Sequence, residues 1–169
     1  TLCDAGIDVL SGVCEIEALE LNQGFIKRMA KGQPYVRLKM AMSLDGAMAM
    51  ASGESKWITG EAARSDGHRL RALSCGVMTG IGTVLADDPL LNAREKTPQM
   101  RGREVTRIIL DTHLRCPSSA RLFTVSGKVL IFCGKSFELK RRNKLAGLAE
   151  IESVEEVSGA MDLELVLDR

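Results

Sequence analysis

Hydrophobic positions over the first thirty residues follow two patterns. Residues 5–10 (Ala-Gly-Ile-Asp-Val-Leu) predict a short strand. Ile16, Leu19, Leu21, Phe25, Ile26 and Met29 recur near the helical period and predict one helix over residues 15–29, ended by Lys31-Gly32-Gln33-Pro34. The period then switches to two. Val36, Leu38, Met40 and Met42 share one face of a predicted strand over residues 35–42, with Arg37, Lys39 and Ala41 on the other. Leu44-Asp45-Gly46 reads as a turn.

Thr59 stands where an N-cap belongs for a helix over residues 60–73, with Ala62, Ala63, Leu70 and Leu73 toward a core. A short buried strand follows over residues 75–79. The turn Gly80-Ile81-Gly82-Thr83 then leads to a short helix over residues 84–86. Residues 94–104 form a polar loop. Residues 105–111 form a strand with an apolar centre at Ile108, Ile109 and Leu110, and residues 128–133 form another. Residues 136–148 predict a basic amphipathic helix, residues 151–157 a strand, and residues 162–168 the start of a helix. Strands alternating with helices predict the α/β class.

Composition narrows the function classes. The chain has 169 residues, 45% hydrophobic and 27% charged, with a formal net charge of +1 and only 4% aromatic. That balance gives neither the field nor the stacking surface that nucleic-acid binding needs, and no apolar run approaches the roughly 18 residues of a membrane span. The five cysteines form no C-x-x-C pair and there are two histidines, so neither a metal site nor a disulfide framework is expected. Reduced thiols fit a cytoplasmic protein.

Candidate chemistry concentrates in residues 39–94. Gly80-x-Gly82, after a strand and before a helix, suits close approach of backbone N–H groups to a phosphate and equally suits a tight connection. Asp87-Asp88-Pro89 fits a helix stop as well as a working carboxylate, and Lys39 fits an edge strand as well as a polar cleft. Trp57, the single tryptophan, is either core or a flat wall for a ring. Arg71 and Arg94 are surface residues taken singly; as a pair they match a phosphate in bidentate geometry. Residue types alone lead to an α/β domain that binds a phosphorylated ligand.

The order of the pieces adds more. Pro34-Tyr35-Val36-Arg37-Leu38-Lys39, Ser43-Leu44-Asp45-Gly46, the run from Ala51 to Thr59, Gly82-Thr83-Val84-Leu85-Ala86-Asp87-Asp88-Pro89, and Arg107-Ile108-Ile109-Leu110-Asp111 resemble the reductase domain of the bifunctional riboflavin biosynthesis deaminase/reductase family. Ala5-Gly6-Ile7-Asp8-Val9 and Leu21-Asn22-x-Gly24-Phe25 resemble the end of that family's deaminase domain. The resemblance implies residues 1–32 as deaminase end and linker, and residues 33–169 as the N-terminal part of the reductase domain. It implies a dihydrofolate-reductase-like mixed sheet flanked by helices, incomplete at the C-terminus, and no deaminase activity in this chain. An open sheet of that kind is expected to pair into a homo-oligomer, a dimer.

The implied reaction is NADPH-dependent reduction of 5-amino-6-(5-phosphoribosylamino)uracil to the ribitylamino product. Hydride reaches the sugar C1′ after ring opening to an imine. The resemblance places substrate contacts on Ser55, Arg71, Leu91 and Arg94, and cofactor contacts on Ala41, Trp57, Thr83 and Asp87. Lys39 and Asp87 are assigned to proton handling and polarisation. The alternatives are a related reductase of another pyrimidine or pterin, and a non-catalytic fragment that only binds ligand.

Overall fold

The structure is a computed structural model that describes residues 1–55, 57–94 and 104–169. The polar loop expected over residues 94–104 lies mostly outside them. The chain divides into two units: Thr1–Leu38 with Leu167–Arg169, and Lys39–Val166.

The first unit is helical. A single turn at Cys3–Ala5 is followed by irregular chain, and the strand expected over residues 5–10 does not form. The helix expected over residues 15–29 is two helices, α1 (Glu15–Leu21) and α2 (Gln23–Lys31). The break is at Asn22, whose side-chain amide donates to the Ala18 carbonyl at 2.8 Å, the acceptor its backbone N–H also uses. This side-chain competition for backbone partners makes asparagine a poor interior helix residue. Gly32 ends α2 with φ +70°.

The expected strand over residues 35–42 joins no ladder. Alternation reports how a segment suits a sheet surface but cannot supply a neighbour. Without one, Val36, Leu38, Met40 and Met42 remain exposed.

The second unit is built on a parallel sheet in the order β1-β2-β3-β4: Gly76–Gly80, Thr106–Leu110, Val129–Cys133 and Glu150–Ser153. Helices α3 (Glu61–Ala72), α4 (Ile81–Asp87) and α5 (Leu139–Leu145) intervene, and α6 (Leu163–Leu167) follows. The α/β class of the expectation is present. The four-stranded sheet is parallel throughout, and antiparallel pairing occurs in the separate ribbon of β5 (Glu156–Val157) and β6 (Ala160–Met161). The strand expected over residues 151–157 is thereby divided between β4 and β5, and the helix expected over residues 136–148 contracts to α5.

Both faces of the sheet are covered, which is why its central strands read as continuous apolar runs. Ile109 and Ile131, paired in register and wholly buried, join Val84, Leu91, Leu114, Leu122 and Leu145 on one side. Phe132, Val154 and Val166 pack with Ile108, Leu110 and Leu130 on the other.

Two charges are buried on either side of Ile109: Arg107 within β2 and Asp111 just past its end. Arg107 is 1% exposed; its Nη1 donates to the carbonyls of Leu122 at 2.9 Å and Val125 at 3.0 Å, and its Nη2 to that of Gly127. Glu104 supplies a nearby counter-charge. Gly127 holds φ +106°, and a Cβ there would meet Glu104 at 3.2 Å, so the turn that receives Arg107 requires glycine. Asp111, also fully buried, accepts the Cys116 N–H at 2.7 Å and lies 3.9 Å from Arg115. Each charge thus fastens an irregular segment whose backbone would otherwise lack partners.

Burial and the nearby carboxylates of Asp111 and Asp88 push the Cys116 thiol from 9.0 to about 12, and burial raises Cys133 as well. A folded-state pKa above the unfolded one means the native state holds more protons between those values. Stability should therefore be full below pH 9 and fall as pH rises from 9 toward 12. Thiol titration at pH 8 should find exposed Cys3, Cys14 and Cys75 reacting promptly and Cys116 and Cys133 only on unfolding. Five equally fast thiols would contradict this burial.

Candidate functional site

The connection after β1 is shaped by α4. Ile81 and Val84 are buried and anchor the helix, which leaves Thr83 and Asp87 together on its exposed face, four residues apart. Gly80 caps the helix in extended conformation, and a Cβ at Gly80 or Gly82 would meet nothing within 4 Å. Packing therefore does not demand glycine at either position. Both leave the backbone uncovered where a phosphate approaches most readily.

Asp88 ends α4 in the left-handed region at φ +41°, and its carboxylate accepts the Arg121 N–H at 2.8 Å. The helix stop expected at Asp87-Asp88-Pro89 is thus made by Asp88, leaving Asp87 on the helix face. Leu91, at φ +51°, buries its side chain in the core cluster with Ile81 and Val84. That burial fixes the course of the chain toward Arg94.

The structure brings Arg71, in the last turn of α3, close enough to Arg94 for their charges to interact. Burial first, and then the Arg94 charge, push the Arg71 guanidinium below its usual range. Arg71 is half-buried and Arg94 exposed. A half-buried cation within range of a second positive charge is unfavourable, and a bound anion would relieve it.

Trp57 is not core: 75% of it is exposed. The Arg64 guanidinium lies over its ring, 4.4 Å from the centroid, and donates to the Thr59 carbonyl at 2.6 Å. Thr59 was expected to cap α3 with its hydroxyl. Gly60 is the N-cap instead, without a side-chain bond, and Thr59 contributes only its carbonyl. Arg64 itself was missed by sequence reasoning. The available signal was an arginine in the first helical turn after an aromatic, a spacing that suggests stacking only once the turn's path is known.

Lys39 is exposed and lies along α3, with its Cε 3.7 Å from where a Cβ on Gly67 would stand. It reaches α3 from outside any ladder, which corrects its expected place in a strand. Ser43 and Asp45 form a closed turn: the Ser43 hydroxyl donates to the Asp45 carboxylate, accepts the Ala47 N–H at 3.0 Å and holds the Asp45 pKa down. Ala41 is half-buried and Ser55 exposed. Neither makes a hydrogen bond or ring contact with the other candidates among the described residues.

Three local groupings result: Arg71 with Arg94, Thr83 with Asp87, and Trp57 with Arg64. Two concavities lie in this unit, the first next to Arg94 in sequence. One of about 310 Å³ is lined by Asn92, Ala93, Glu104 and Arg107, and one of about 550 Å³ by His113, Arg115, Phe137 and Arg141. No group of three or more metal-ligating side chains converges among the described residues, and no helix among them is long and apolar enough to cross a membrane.

Residues 34–169 match the family model described as the RibD C-terminal domain. The chain belongs to that family. It is 46% identical over 136 residues to riboflavin biosynthesis protein RibD of Escherichia coli, covering 75% of this chain and 37% of the relative. It is 43% identical over 147 residues to the Haemophilus influenzae protein, covering 82% of this chain and 40% of the relative. Acinetobacter baumannii RibD superposes with a TM-score of 0.81 at 44% identity, over 99% of this chain and 44% of that one. A Thermotoga maritima protein, described as a diaminohydroxyphosphoribosylaminopyrimidine deaminase/5-amino-6-(5-phosphoribosylamino)uracil reductase, superposes at 0.69 with 31% identity, over 92% of this chain and 48% of that one. The dihydrofolate-reductase-like α/β fold of RibD reductase domains is therefore the fold of this chain. The chain spans about 40% of the length of the curated relatives it matches.

In the Asp87-Asp88-Pro89 segment, Asp88 has a structural task of its own. Asp88→Ala should lower stability by roughly 1–2 kcal/mol, through the lost acceptor for Arg121 N–H and the strained left-handed backbone. Asp88→Asn should retain most of it, because asparagine keeps an acceptor and tolerates that conformation. Urea unfolding measures both, and equal losses would remove this role.

Proposed function

We propose that the chain carries the reductase part of a RibD protein and acts on 5-amino-6-(5-phosphoribosylamino)uracil with NADPH. The observation that carries the reading is the match of residues 34–169 to the RibD C-terminal domain, and the positive charge of Arg94 within range of half-buried Arg71 supports a phosphate on the substrate side. A phosphomonoester presents several acceptor oxygens and up to two negative charges, and two guanidiniums meet both demands. Ser55, with its exposed hydroxyl, and the main chain at Leu91 complete the substrate side, since the Leu91 side chain is occupied in the core.

The cofactor side comprises Ala41, Trp57, Thr83 and Asp87. The exposed hydroxyl and carboxylate on α4 and the open indole of Trp57 suit a ligand with polar ribose groups and a flat ring. When bound, the nicotinamide supplies the hydride. The residues must then hold the substrate's sugar carbon in place, exclude water and manage one proton. Lys39 and Asp87 take the last task, as a cation and a carboxylate able to polarise or protonate the opened sugar. Residues 1–32 are the end of a deaminase domain and a linker, and residues 33–169 belong to the reductase domain. The protein works in the cytoplasm, where its cysteines stay reduced, and forms a dimer. The one-sided pairing of β1 and the exposed Met78 support that association.

Steady-state turnover tests the reading. Arg71→Ala and Arg94→Ala should each raise KM for the phosphorylated substrate by about tenfold or more and leave KM for NADPH nearly unchanged. A normal substrate KM in both variants would remove the arginines from the phosphate site.

A further inference from the structure

Trp57 is the only tryptophan of the chain, and it is held in an unusual way. Three-quarters of its surface is exposed, yet it is not loose: Arg64 lies over one face of the ring at 4.4 Å. Arg64 is itself fixed twice. Its backbone belongs to the first turns of α3, with its N–H on the Gly60 carbonyl at 3.2 Å, and its Nη1 donates to the Thr59 carbonyl at 2.6 Å. The side chain therefore ties the helix, the segment leading into it and the indole into one bracket. Stacking uses the face of the guanidinium, while the hydrogen bond uses an N–H at its edge. Arginine can do both at once because the group is planar; an ammonium has no such face.

We infer that Arg64 is a positioning residue that covers one face of the Trp57 indole and presents the opposite face to a flat ring of the cofactor. This rests on the cofactor side of the function proposed above. An exposed aromatic left free samples several rotamers, and a ligand that stacks on it must stop that motion. Fixing the ring beforehand reduces this ordering cost on binding. A positively charged face behind the indole also leaves the bracket without any direct contact to the ligand, so its effect appears in affinity rather than in the chemical step.

Two measurements on the whole chain test the inference, using wild type, Arg64→Ala and Arg64→Lys. The first needs no ligand. Acrylamide quenching of Trp57 fluorescence should increase by up to about a third in both variants as the covered quarter of the ring opens. Unchanged quenching in both would overturn the bracket. The second is titration with NADPH followed by the same fluorescence. Arg64→Ala should weaken binding about fivefold, the fold-change equivalent of roughly 1 kcal/mol, and Arg64→Lys should recover less than half of that loss. Full recovery by lysine would show that charge alone matters, as for a phosphate contact, and would overturn the positioning role. Arg64→Lys carries the test if Arg64→Ala does not fold. Absence of NADPH binding in wild type would instead remove the cofactor reading, and quenching would still decide whether Arg64 holds the indole.

Discussion

Arg107 occupies a core position on the central strand β2, and much of the sheet-bearing unit depends on how its charge is satisfied. Burying a guanidinium without partners is prohibitively costly, so its carbonyl acceptors at Leu122, Val125 and Gly127 must be present whenever the sheet is. Asp111, the residue after the strand, imposes a similar condition on the segment reaching Cys116. Between them Ile109 packs against the apolar core. These three positions fix β2 and the segments at its two ends. β1 then pairs with β2 from Gly76–Thr106 to Gly80–Leu110. That register sets where α4 begins, and so where Thr83 and Asp87 face outward.

The candidate site lies on elements held by this frame but contributes little to it. Thr83, Asp87, Trp57 and Arg94 are exposed, and Arg71 is half-buried beside a like charge. A half-buried cation within range of a like charge costs stability locally, and the proposed phosphate site would account for that cost. Leu91 links the two regimes: its side chain belongs to the core, while the backbone that follows leads to Arg94.

What was legible in the sequence follows the same division. β2, β3 and the turn into α4 were readable because apolar runs and glycine spacing report burial directly, whereas α3 was placed but not its face: Ala62, Ala63 and Leu73, expected toward a core, are exposed, and Ala72 is buried instead. The segment over residues 35–42 was misread because alternation cannot reveal whether a partner strand exists. The single helix over residues 15–29 failed at Asn22, where a local hydrogen bond outweighed the apolar period. Burial of Arg107 was invisible, since its acceptors lie fifteen and more residues downstream. Arg71 and Arg94 were considered together from residue type, and the resemblance gave them a shared role; that the Arg94 charge reaches Arg71 depends on the folded chain. Arg64 went unnoticed for the related reason that its role exists only in the folded geometry of the 57–64 segment.

The central claim is that the paired arginines constitute a phosphate site. Calorimetric titration of the chain with the phosphorylated ribitylaminouracil and with its dephosphorylated counterpart tests it most directly. Loss of a doubly contacted phosphate should weaken binding about a hundredfold, and the difference should shrink as salt is raised. Equal affinity for the two compounds would contradict the account.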